Sequence, residues 1–154
     1  MENQVPHRGG APVGYISELG PIEAGAIVYF RLWFEAPACR GQILRDFQTA
    51  LGKVGGAKAL TALTSICDLC IRHGRRPIMR HGVQCKCIGG DEACFANFIA
   101  YASEGELDDA LLMASSFVAP SKAPDLVEVA EEFGCALRGM FDASFRSPKS
   151  TTIH

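Results

Sequence analysis

Five of the seven cysteines and two of the four histidines of this 154-residue chain fall between Cys67 and Cys94. Cys67 and Cys70 stand three apart, a spacing that sets both sulfurs on one face of a helix within reach of one ion. Cys85 and Cys87 form a second pair after fourteen intervening residues, within the range by which two-knuckle zinc sites join their halves. Four thiolates, or three and an imidazole, make a closed tetrahedral zinc site with no open position for substrate. The spacing therefore predicts structural zinc on Cys67, Cys70, Cys85 and Cys87, with Cys94, His81 and His73 as reserve ligands. An iron–sulfur cluster takes the same thiolates and ranks behind zinc.

Two other chemistries compete for these residues. Cysteine is among the most buried residue types, so Cys39, Cys67, Cys70, Cys94 and Cys135, all at apolar helical positions, serve equally well as core fillers. Cys85 and Cys87 lie in a polar stretch and resist that account. Arg80, His81 and Lys86 surround them, and positive potential lowers a thiol pKa and favours thiolate. A thiol-based redox sensor or enzyme using Cys85 and Cys87 is the alternative to the metal site.

The same stretch is basic. Arg72, Arg75, Arg76, Arg80 and Lys86 occur with no acidic residue among them, whereas ten acidic side chains and only Lys122 occupy the stretch from Asp91 to Glu132. Such a run suits a phosphate-bearing ligand or a protein partner, or else it pairs with the acidic helices that follow. No aromatic residues interleave the arginines, which leaves nucleic-acid binding with little support. Phosphate loops, dinucleotide fingerprints and the common hydrolase motifs are absent, so the chain leans away from an enzyme.

The elements that must position these residues follow from periodicity and breakers. Residues 1–20 are rich in glycine and proline and predict an extended arm. Pro21 suits a first helical position, and Ile27 to Phe34 cover nearly a full circumference, as a buried central helix would; a strand is the rival for so aromatic and β-branched a run. A second helix fits 40–51, ended by Gly52, and a third runs from the Gly55-Gly56 break to His73, with Gly74 as a left-handed C-terminal glycine. Residues 74–90 predict a loop long enough to need something holding it. Asp91 is the expected N-cap of a fourth helix reaching about Glu104, a fifth spans Glu106 to Val118, and a last begins near Pro124. The tail from 147 to 154 is polar and expected to fray.

The sum is an all-α fold, a single compact bundle of about five or six helices over residues 21–146 with the Cys-rich loop between the third and fourth. A hydrophobic share of 48% and a charged share of 21% suit one globular core and exclude the composition of a disordered chain. The N-terminus shows no secretory pattern, which predicts a cytoplasmic protein, and the apolar run from Ala24 to Phe34 is too short for a membrane span. The leading expectation is a zinc-stabilised helical module with a basic loop, acting as a regulator or adaptor.

Overall fold

The computed structural model describes the backbone of residues 8–153 and the side chains of residues 9–142. Five helices form the bundle: α1 (Pro21–Glu35), α2 (Cys39–His73), α3 (Gly90–Ser103), α4 (Leu107–Phe117) and α5 (Ala123–Ile153). The expected all-α class holds. The core is aromatic: Phe30, Phe47, Phe95, Phe98 and Phe133 are fully buried among Leu63, Ile66, Ile99 and Leu126. Phe30 stacks on Phe95 at 4.4 Å between ring centroids, and Phe98 meets Phe117 at 5.6 Å, distances at which tilted rings attract.

Three local expectations are corrected. The break in α2 falls at Gly52, whose φ of 84° and ψ of 170° are not helical, while Gly55 and Gly56 continue the helix. A positive φ is readily open to glycine and strained for other residues, so the second expected helix does end at Gly52, and the third follows directly across that kink instead of starting at Gly55-Gly56. Gly74 ends α2 with an extended backbone, φ −68°, and no left-handed turn; the chain there bridges to Val118 instead. The N-cap of α3 is Gly89, not Asp91, because the Asp91 side chain is engaged elsewhere. At the other end, α5 runs on through the stretch expected as a tail.

The expected arm is more structured than its glycines suggested. Residues 1–7 lie outside the described residues. Beyond them, β1 (Pro12–Tyr15) pairs antiparallel with β2 (Cys87–Gly89), with Tyr15 opposite Cys87 and Gly14 opposite Ile88. Ile88 is buried with Ile27 and Ala96, which fastens this two-stranded ribbon to α1 and α3.

α2, and not the run from Ala24 to Phe34, is the helix among the described residues whose length and composition would let it cross a bilayer. Its Ala59, Ala62, Leu63 and Ile66 are buried in the bundle.

Candidate functional site

Arg31 interrupts the apolar face of α1 and is 1% exposed. A buried charge must be paired and hydrogen-bonded to be tolerated, and every N–H of this guanidinium has an acceptor. Nε and Nη2 donate to the Glu92 carboxylate at 2.7 and 2.9 Å. Nη1 donates to the carbonyls of Gly82 and Cys85 at 3.1 and 2.7 Å, and Nη2 also to that of Cys87 at 2.7 Å. One side chain from α1 thus gathers three carbonyls of the loop between α2 and α3.

Glu92, in the first turn of α3, holds the same loop from the other side. Besides Arg31 it accepts the backbone N–H groups of Gly89 at 3.0 Å and His81 at 3.1 Å. Burial alone would push its carboxyl up; the hydrogen bonds from Arg31, Gly89 and His81 and the Arg31 charge outweigh that and hold it below the usual range. Asp91 beside it takes a bidentate pair from Arg76, both contacts 2.7 Å, and the Met79 N–H at 2.7 Å. Its carboxyl is also held low, burial being overcome by Arg76 and Met79. Two adjacent carboxylates therefore tie this loop to the first turn of α3.

That framework places His81 against Cys85. A turn closed by the Cys85 N–H on the Gly82 carbonyl, 3.0 Å, brings Cys85 Sγ to 3.5 Å from His81 Nδ1. His81 Nε2 lies 2.8 Å from the Gly10 carbonyl, which the N-terminal segment carries in beside β1. A carbonyl only accepts, so Nε2 bears the proton and Nδ1 of the neutral ring faces the thiol as an acceptor. Gly89 passes closely beneath: a Cβ there would stand 2.9 Å from the Gly9 carbonyl oxygen and 3.1 Å from His81 Nε2.

The electrostatics of the pair run in one sense. The hydrogen bond to Gly10, with those of Cys85 and the charge of Glu92, raises the His81 pKa against the opposing effect of burial. The hydrogen bond from His81, then the Cys87 N–H and the His81 and Arg31 charges, lower that of Cys85. Raised imidazole beside lowered thiol is the arrangement that favours thiolate and imidazolium.

The remaining cysteines are dispersed. Cys67 is fully buried in the main core, where desolvation, with the neighbouring Cys70 and Asp68, drives its pKa far up. Burial pushes Cys70 up to about 12. Cys87 is half-buried in β2, and Cys94 and Cys135 are exposed. Among the described residues no group of three or more His, Cys, Asp or Glu side chains is placed to hold a metal ion. The thiolate set of Cys67, Cys70, Cys85 and Cys87 is thus not assembled, because Cys67 faces the core while Cys85 turns towards His81; the reserve ligands Cys94 and His73 do not join His81 either. Of the five residues of the basic run, only Arg76 forms an ion pair among the described residues; Arg72, Arg75, Arg80 and Lys86 are exposed.

Arg31 and Glu92, the residues that build the site, carried only a partial sequence signal: a charge inside an apolar run, and an acid in a first helical turn. Compared with family models, with characterised proteins and with solved structures, the chain matches none.

Proposed function

We propose that the protein acts through Cys85 as a reactive thiol, in a redox sensor or thiol enzyme, with His81 as the group that receives and returns its proton. The observation that carries this is the 3.5 Å contact of Cys85 Sγ with Nδ1 of an imidazole whose other nitrogen is anchored on Gly10. Nucleophile, base and a group orienting the base are the parts an activated thiol requires.

With a hydroperoxide as the electrophile, the thiolate attacks one oxygen, the S–O bond forms and the O–O bond breaks. The leaving oxygen takes the proton from His81 and departs as water or alcohol. The sulfenic acid left on Cys85 condenses with a second thiol, Cys87 or a low-molecular-weight thiol, releasing water and forming a disulfide. A carbon electrophile would instead leave a thioether.

Exposed Cys94 and Cys135 serve as internal references for the test. In native protein treated with iodoacetamide across a pH series and read by mass spectrometry, Cys85 should react with a midpoint below the ordinary thiol value of about 8.5. His81→Gln should move that midpoint up and slow labelling at neutral pH by about tenfold for each unit. Labelling of Cys85 no faster than Cys94 and Cys135 at neutral pH would sink the proposal.

A further inference from the structure

An apolar hollow of about 370 Å³ opens between α1, the end of α2 and residues 74–80. Phe30, Phe34 and Cys70 line it together with Ile71 and Ile78. At a water molecule's share of about 30 Å³ per heavy atom, this admits a body of about a dozen heavy atoms, near the lower end of small-ligand sites.

Its rim is cationic in a specific way. Arg75, Arg76 and Arg80 all border the hollow, but Arg76 is neutralised by Asp91. Among the described residues the Arg75 side chain commits only Nε, to the Ser115 carbonyl at 2.7 Å, which leaves both terminal nitrogens for a ligand. Arg80 lies with its guanidinium 4.3 Å from the centroid of Phe34. Among the described residues neither Arg75 nor Arg80 has a carboxylate within ion-pair distance. Two unneutralised guanidiniums over an apolar floor are complementary to an anion with an apolar body.

We propose that this hollow binds an apolar monocarboxylate, its acyl chain or aromatic ring between Phe30, Phe34 and Ile78 and its carboxylate against Arg75 and Arg80. The site shares no side chain with the Cys85–His81 pair, so either reading stands if the other fails.

The test is calorimetric titration of the native protein with decanoate and with naphthoate, against decanol and decyltrimethylammonium. Trp33, the only tryptophan, lies 5.0 Å from the Phe34 ring and supplies a fluorescence readout. Saturable binding of either carboxylate is expected, with the quaternary amine excluded. Arg75→Gln with Arg80→Gln should weaken the carboxylate about tenfold and leave decanol nearly unchanged. Ile71→Glu places a like charge at the rim on a side chain already 59% exposed, and should weaken the carboxylate without a folding defect. It decides the matter if the double variant misfolds. No saturable heat with either carboxylate, equal affinity for the amine, or binding that survives Ile71→Glu overturns the assignment.

Discussion

Replacing Glu92 with Gln tests whether the buried Arg31–Glu92 pair is what holds the loop. The wild-type carboxylate accepts four hydrogen bonds, two from Arg31 and one each from Gly89 and His81. An amide has one oxygen and an NH2 that cannot accept, so two of those donors would face a donor, and the Arg31 charge would remain buried without a counter-ion. Hydrogen bonds to charged groups contribute about 1.5–3 kcal/mol each, and breaking a buried pair from one side costs about 3–5 kcal/mol. At about 2–4 °C per kcal/mol for a chain of this size, Tm should fall by about 6–20 °C. Circular dichroism melts and urea unfolding at neutral pH measure it. Hydrogen exchange should show the extra opening first at the amides of His81 and Gly89. A loss below about 1 kcal/mol, or protection unchanged at both amides, would refute the account of the loop.

Two further outcomes follow from the same carboxylates. Asp91 and Glu92 are both held below their unfolded values, so their contribution is present above the unfolded pKa of about 4 and is lost as pH falls through the folded values; acid melts of Glu92→Gln should show a shallower loss than wild type. His81 is raised, so its contribution is present below about 6.5 and lost as pH climbs through its folded value, which His81→Gln should abolish. Asp91→Asn should free Arg76 and Met79 and raise exchange at Met79 while leaving the Cys85 labelling midpoint near wild type; a midpoint shift as large as that of Glu92→Gln would show that the two halves of the loop are not held separately.

Long amphipathic segments were legible in the sequence because their period repeats several times: Leu126, Val127, Ala130, Phe133 and Leu137 of α5 are buried at the spacing a helix requires. The ribbon was not. Pro12–Tyr15 and Cys87–Gly89 offer four and three residues, too few for an alternation to stand out, and their pairing joins positions about 75 apart in sequence, which no local pattern encodes. Gly52 was legible as the end of the second helix, whereas Gly55 and Gly56, read as a break, continue the next helix, with Gly56 close against Gln48. The cysteine pattern likewise left side-chain direction open. Helical spacing set Cys67 and Cys70 near one another, but the stripe holding Leu63 and Ile66 turns Cys67 inward. Arg31 shows in the sequence only as a charge breaking an apolar run; its burial and its partner Glu92, 61 positions away, could be found only in the fold.

The loop was expected to need something holding it because more than a dozen residues without regular structure rarely order themselves. The Arg31 guanidinium is one such hold. Its planar fork presents five donors in fixed directions, and three of them end on the carbonyls of Gly82, Cys85 and Cys87. A buried ion pair is weak evidence for net stability, since desolvation consumes much of the attraction; what Arg31 supplies is register. A slip by one residue would turn N–H groups or side chains towards a donor that accepts nothing, so the alternation of the backbone is pinned from Gly82 to Cys87. With the carbonyl of Cys85 drawn inward to Arg31 and the His81 N–H fixed on Glu92, the thiol and the imidazole are left facing one another on the outside of the loop. The residues that do the proposed chemistry are thereby positioned by two that never touch a substrate.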